Sequence, residues 1–462
     1  MAKPILVIQM HRMGDMVMAF PLFDWLARAW PGHPVWVAAQ PPVSMALQGI
    51  GPKVRHVLPS DPALKTQTFL FCLNLSSREE AAALAGGVRA EALFGPFRTP
   101  DGRLYIRGDW NLYRSSLTDN SRHNRFHWSE LYGLDLVPDL VRGHVWPTPV
   151  CRTGIPARIG LFPGASTAAK TPGVDFWISL AQRLLSQGHA PVLLGGKVES
   201  SVGRAISRAL PAKVMNLCGQ TDLAGLMRVF ASLNLLIAPD TGPMHLASWA
   251  GLPVLNLSIG PVYPWDTGPF RPGSWIVRSG SSCTGCWSCR QNRVFCADAV
   301  TATKISSLAS RVLRKEIVRM EVSTLRVWSV RRDADGLYDL ASVGRKARPE
   351  ARECVSTFWK AFFWSVFGPG SGQEAKAKWL LLRQTFPDLA LALARSRVRL
   401  ALVLGRQAKS SLSFGPLSFW RSFPPGIRPL TSYVQHVLDN GDHGREALKT
   451  CLFLIDALPF DL

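Results

Sequence analysis

The chain lacks any run of about 20 uninterrupted apolar residues, the length a membrane-crossing helix needs. Its most apolar region, residues 229–265, is cut by Asp240, Pro243 and several glycines. The first residues, MAKPILVIQMHRMGD, read as a short strand followed by polar positions. They have neither the long apolar centre nor the small-residue cleavage site of a secretion signal. The expected location is therefore cytoplasmic. Acidic residues are scarce, with 32 Asp and Glu against 53 Lys and Arg, a formal charge of +21. Lysine-rich runs are also missing, and the basic excess is spread along the chain. Such a surface suits phosphorylated small molecules or acidic lipid better than a nucleic-acid-binding arm, and no nucleic-acid module is recognisable. Charged residues at 18% and apolar residues at 47% exclude a disordered chain.

What is present reads as two series of alternating strands and helices. With 462 residues the chain exceeds the roughly 250–300 at which a single core stops growing. The pattern gives strands at 5–9, 35–39 and 69–73 and helices at 16–30 and 78–90, the arrangement of a parallel sheet covered by helices. Residues 94–146 are less regular and rich in Arg, His and Trp. A Pro/Thr/Gly-rich linker near 147–156 precedes a second series, with strands at 159–162, 191–195, 235–239 and 254–258. Helices at 175–187, 200–210, 223–232 and 244–250 alternate with them. Beyond residue 301 strand patterns fade, and helical candidates such as 305–319 and 376–406 take over. The expected organisation is an α/β chain with domains at 1–150 and 151–300 and a mainly helical extension at 301–462.

Chemistry concentrates where strands end. In IAPDTGPMHLASWAGLPV, Asp240 sits at the carboxyl end of a buried strand, where open α/β sheets place their ligands. Gly242 allows close approach, Pro243 suits a first helical position, and His245 lies in the first turn. Free amides at that helix start would receive a phosphate, with Asp240, Thr241 and His245 around it. The plain alternative is a capped turn with a structural aspartate. In LFPGASTAAK, Gly164 relaxes the turn, Ser166 and Thr167 offer hydroxyls, and Lys170 offers a charge for a diphosphate or is simply solvated. In LLGGKVES, Glu199 would accept both hydroxyls of a ribose or else stabilise the next helix dipole. Together these loops make a nucleotide-sugar pocket. Asp15, in Gly14-Asp15 after the first strand, would face that pocket as a general base or serve as a helix cap.

The combination resembles glycosyltransferase family 9, the heptosyltransferases of bacterial lipopolysaccharide assembly. The resemblance rests on RMGDMVMAFPLFDWL, FPGASTAAK, the GG-x-x-E turn, GQTDLAGLMRVFASLNLLIAPDTGPMHLASWAGLPV and a cysteine-rich segment. It covers about residues 4–300. It implies a GT-B fold, two Rossmann-like domains facing a cleft, with acceptor on the first and ADP-sugar on the second. It also implies an inverting enzyme that moves heptose or a related sugar onto a lipopolysaccharide core or lipid A-type acceptor. The family's base falls on Asp15, its diphosphate-binding lysine on Lys170, and its ribose-binding glutamate on Glu199. Its Asp-Thr-Gly…His set falls on Asp240, Thr241, Gly242 and His245, and Ser166 matches a hydroxyl near the phosphates. No metal is implied for transfer. The implied partners are an ADP-sugar, an anionic glycolipid and the cytoplasmic face of the inner membrane. Two departures stand out: Thr171-Pro172-Gly173 follows the lysine where the family has x-Trp-Pro, and His11-Arg12-Met13 replaces small residues before Gly14. A catalytically silent protein that binds nucleotide sugar or metal is the alternative.

Three further features carry open readings. Cys283, Cys286, Cys289 and Cys296 are spaced C-x2-C-x2-C-x6-C, which suits a Zn²⁺ or a cluster, or else structural thiols. Val355, Trp359, Phe362 and Val366 share one helical face, flanked by Arg345, Lys346, Arg348 and Lys360. That face would lie in a membrane interface or in the core of the extension. Arg98, Arg103, Arg107, Arg114, Arg122 and Arg125 suit a phosphorylated or carboxylated acceptor, and His123 and His127 read as structural rather than metal-binding.

Overall fold

Short apolar runs bounded by turns become strands buried on both faces, as ILVI does at Ile5–Ile8. The computed structural model describes residues 2–146, 156–210, 214–281, 283, 286–289, 291–316, 324–344, 349–407 and 417–460. Most of the linker near 147–156, with Arg345, Lys346 and Arg348, lies outside the described residues.

The first half contributes β1 (Ile5–Ile8), β2 (Val35–Ala38), β3 (Arg55–Val57), β4 (Thr68–Phe69), β5 (Cys72–Asn74), β6 (Arg89–Ala90), β7 (Leu93–Arg98) and β8 (Leu104–Arg107). Six of them form one sheet in the order β3-β2-β1-β5-β7-β8, parallel except for β8, while β4 and β6 pair separately. The second half contributes β9 (Arg158–Leu161), β10 (Ala190–Leu193), β11 (Met215–Asn216), β12 (Leu235–Pro239), β13 (Val254–Leu257) and β14 (Trp275–Ser279). Their order is β11-β10-β9-β12-β13-β14, all parallel. In each sheet the strand order reverses beside its first strand. The loops after β1, β9 and β12 therefore open at switch points, where a crevice forms at the carboxyl edge.

The extension departs from a purely helical reading at its start. β15 (Leu325–Arg332) and β16 (Tyr338–Ser342) join the second sheet as antiparallel strands beyond β14. Their residues, LRVWSVRR and YDLAS, alternate between buried and partly exposed positions, so no continuous apolar run marks them. Helices Ala351–Phe367, Gly372–Thr385, Pro387–Gln407, Arg428–Asn440 and Arg445–Asp456 follow.

The aromatic helix Ala351–Phe367 settles one of the open readings. Trp359 and Phe363 are fully buried and Phe362 is 1% exposed. Phe363 and Trp364 meet Tyr113, Trp110 and Phe126 of the first half. This helix is core, and the membrane-interface reading of its apolar face is corrected. The same contacts explain the aromatic bias of residues 94–146, whose rings are filled in by a helix some 250 residues later. The hairpin between β15 and β16 also reaches the first half. Arg332 donates to the Val141 carbonyl at 2.5 Å. Gly336, at φ +78, lies so close to Arg142 that a Cβ would stand 2.3 Å from its carbonyl oxygen.

Candidate functional site

The two switch points meet. Helix Met13–Met18 follows β1 and helix Gly242–Trp249 follows β12, and their amino ends touch. A Cβ on Gly14 would lie 3.5 Å from the Gly242 Cα and 3.3 Å from the His245 ring, and one on Gly242 would strike the Met13 methyl at 2.4 Å. Glycines at both positions leave room for this close approach of the two helix starts. Asp15, half-buried, thus sits one residue from the contact with Gly242 and His245. The helix starts at Met13 with Arg12 at its N-cap, so Asp15 is not the N-cap expected just before Met16; from the third helical position its carboxylate reaches back and accepts the Arg12 amide at 3.1 Å.

The surroundings of Asp15 are basic. Burial lowers the pKa of the His11 ring, with Arg114, Arg78 and Arg12 adding to the effect and Asp15 opposing it. Arg114 is 8% exposed and stacks over the Tyr132 ring at 5.4 Å. Other arginines of the segment are committed elsewhere: Arg98 to Glu79, Arg103 to Asp101, and Arg125 over Trp265. His123 meets Ser356, and His127 meets the Gly268 carbonyl, each buried. Burial drives both rings down to about 3.

Beside the contact lies a cavity of about 260 Å³, walled by Met13, Gly164, Gly196, Glu199, Thr241 and Pro243 among others. Glu199 accepts the Gly196 amide at 2.8 Å and closes on Gly164, where a Cβ would fall 2.4 Å from its carboxylate. Thr241 caps the helix start and also faces the cavity. Ser166 is exposed on the same turn as Gly164.

Asp240, His245 and Lys170 form a second group at the end of β12. The Asp240 carboxylate accepts the Thr267 hydroxyl at 2.6 Å and lies 3.8 Å from His245 Nε2. Burial pushes this carboxyl upward, but His245, Lys170 and Thr267 outweigh that and hold it below its ordinary value. Of the candidate residues, Glu199 and Thr241 line the cavity itself, and Gly242 and His245 meet the turn that carries Asp15.

Some neighbours were not foreseen. Gly260, at φ +72, presses on the Ala168–Lys170 turn, where a Cβ would come within 2.1 Å of the Ala169 carbonyl. Its own carbonyl accepts from buried Arg278 at 3.2 Å. Asp266 is buried, accepts from Asn124 at 2.7 Å across the two halves, and is pushed up to about 7 by that burial. Only the Gly-Pro dipeptide at 260–261 hinted at the first; nothing local marked the second. The cysteine segment behaves differently from its spacing. Cys283 and Cys289 are exposed, Cys296 is buried and accepts the Gly260 amide at 3.3 Å, and Cys286 faces the Gly260 carbonyl. Among the described residues no three His, Cys, Asp or Glu side chains converge as metal ligands.

Comparison with known proteins follows the same outline. Residues 154–294 match the family described as glycosyltransferase family 9 (heptosyltransferase). Lipooligosaccharide heptosyltransferase 2 of Haemophilus influenzae is 32% identical over 126 residues, 26% of this chain and 36% of the relative. The alignment thus spans about a third of the length of this curated relative. The E. coli ADP-heptose LPS heptosyltransferase II structure superposes with a TM-score of 0.51 at 20% identity, over 68% of this chain and 99% of that one. A family 9 glycosyl transferase from Veillonella parvula gives 0.52 at 17%, over 68% and 98%. The fold is GT-B, and 68% of this chain is covered by each of these structures.

Proposed function

We propose that this chain, whose residues 154–294 match glycosyltransferase family 9 (heptosyltransferase), is an inverting transferase. It moves heptose, or a related sugar, from an ADP-sugar to an anionic acceptor of the lipopolysaccharide core or lipid A type. The first half takes the acceptor and the second half the donor, at the cytoplasmic face of the inner membrane. The observation that carries this reading is the contact of the Asp15 turn with the helix start at Gly242, beside a cavity bordered by Glu199 and Thr241.

In this reading Asp15 takes the proton from an acceptor hydroxyl. The freed oxygen bonds to the anomeric carbon as the carbon–oxygen bond to the diphosphate breaks on the opposite face, and ADP leaves. Lys170, His245 and the amides at the Gly242–Trp249 helix start meet the charge that grows on the diphosphate. Glu199 accepts hydrogen bonds from the ribose, and Ser166 reaches the phosphates. Asp240 orients His245 and carries no proton in the step. Protein cations and helix amides take the part a metal plays in other transferases.

The test is mass spectrometry of products after incubation with ADP-heptose, other nucleotide sugars and truncated acceptors. A sugar-extended acceptor together with released ADP is expected. Tight ADP binding with no product from any pair would identify a silent binding protein instead.

The Lys170 turn gives a second expected result. Gly260→Ala forces a left-handed backbone angle on alanine and drives its methyl into Ala169. ADP affinity, measured by titration calorimetry, should fall about tenfold, with the global fold kept. Unchanged affinity would detach the turn from donor binding.

A further inference from the structure

Helices Gly372–Thr385 and Pro387–Gln407 follow one another across the single residue Phe386, and Pro387 opens the second helix. Each buries one side: Trp379 and Leu382 on the first, Leu393, Leu400 and Leu404 on the second. The outward side is not the polar face such helices normally present. Leu391, Val398 and Leu402 are 43%, 39% and 57% exposed, and with Arg395 they follow one stripe at spacings of three and four. Leu380 and Leu381 are 43% and 46% exposed. They stand six and five residues before Phe386, as Leu391 stands five residues after it.

The charge on this pair is one-sided. It carries seven basic and two acidic residues. Among the described residues its ion pairs are Lys378 with Glu374 and Arg397 with Asp456. Lys376, Arg383 and Arg395 stay exposed without a carboxylate partner. Single exposed apolar side chains are ordinary, but four leucines and a valine interleaved with unpaired cations ask for a particular partner. A second copy of the chain would bring the same positive charge to the contact. A bilayer carrying anionic headgroups instead takes leucines at its acyl boundary and arginines at its phosphates. The helix Pro387–Gln407, at 21 residues, is about 31 Å long, and no described helix is apolar enough to cross a membrane; it would lie flat.

We propose that this outward stripe docks the chain on an anionic lipid surface. The inference deepens the reading above, from which it borrows the lipid-linked acceptor. The placement fits. Arg397 ties the stripe's helix to the Ile455 carbonyl of the last helix, and the neighbouring helix is bound to the first half through Asn440 and the Ile106 amide at 2.6 Å. The docking face is thus braced on the half assigned to the acceptor.

The test is flotation of the full chain with vesicles, without sugar nucleotide or acceptor. Vesicles of phosphatidylglycerol and phosphatidylcholine should hold the chain at least about tenfold more strongly than phosphatidylcholine alone, with loss of the difference at high salt. Leu391→Glu with Leu402→Glu, and separately Arg383→Glu with Arg395→Glu, should each abolish most of that binding. Thermal midpoint and transfer to a short water-soluble acceptor should stay unchanged. Absence of binding by the unaltered chain, equal binding to neutral vesicles, or binding that neither pair of changes reduces would overturn the proposal. So would light scattering that shows the leucine changes converting a dimer to a monomer, which would assign the stripe to a second copy. Because docking is read without substrates, its failure leaves the transferase reading standing, and lost transfer with intact docking sinks only that reading.

Discussion

Asp15→Asn is expected to lower kcat by about 10²–10⁴-fold, the range a positioned general base supplies, while ADP binding is retained. Asparagine keeps an oxygen to accept the Arg12 amide, which Asp15 holds at 3.1 Å, so the helix start survives but the proton acceptor does not. Asp15→Ala removes both roles, and its thermal stability should drop by about 1 kcal/mol more, the ordinary cost of a lost cap. The pair therefore separates chemistry from capping. Equal turnover in wild type and Asp15→Asn would take Asp15 out of the reaction. The glycines on either side of the junction explain why the carboxylate lies where it does: a side chain at position 14 would press on His245, and one at 242 on Met13.

The second large effect is expected at Glu130, a carboxyl that the proposed chemistry does not use. This residue is fully buried in the first half. It accepts the His127 amide at 3.2 Å and the Tyr338 amide of the extension, which couples the two across the fold. Burial pushes its carboxyl up to about 7, against the opposing pull of Lys360 and Arg332. Glu130→Ala leaves the His127 and Tyr338 amides without their acceptor and should cost roughly 2–6 kcal/mol in chemical denaturation. The pH dependence carries a definite sign. A carboxyl whose folded pKa lies above its unfolded one binds its proton more readily in the fold. Its contribution to stability is therefore full below about 4.5 and is lost as pH rises through about 7. Buried histidines work the other way: His127, held down near 3 by burial, favours the folded state as pH rises from about 3 towards 6.5. Glu130→Gln isolates the carboxyl from those rings. The stability advantage of wild type over this variant should shrink between pH 4.5 and 7, by an amount on the order of 3 kcal/mol. A difference that stays flat across that interval would show that Glu130 does not titrate there.

Reading residues in order found the parts of this protein that local patterns specify. ILVI, LLIAP and VLNL are runs short enough for strands and apolar enough to be buried on both faces. The glycines and acids just after them announced where a crevice would open. The same reading missed whatever depends on distant partners. β15, with three arginines in eight residues, and β16, with Asp339 and Ser342, lack an apolar run, and they become strands because β14 offers a free edge. The aromatic helix Ala351–Phe367 has a profile equally suited to lipid and to core, and only Trp110, Tyr113 and Phe126 decide between them. The four clustered cysteines carry a metal-like spacing, yet Cys296 turns inward to Gly260 while Cys283 and Cys289 face out.

By itself, then, the order of amino acids determined two Rossmann-type sheets and the loops that bear Asp15, Lys170, Glu199, Asp240 and His245, because periodicity and turn chemistry act over a few residues. Tertiary structure alone decided that those loops from separate sheets touch through Gly14 and Gly242, that Glu130 and Asp266 are buried between the halves, and that the extension fills the core of the first half. These outcomes rest on close approach between groups more than 100 residues apart, and no local rule encodes such a distance.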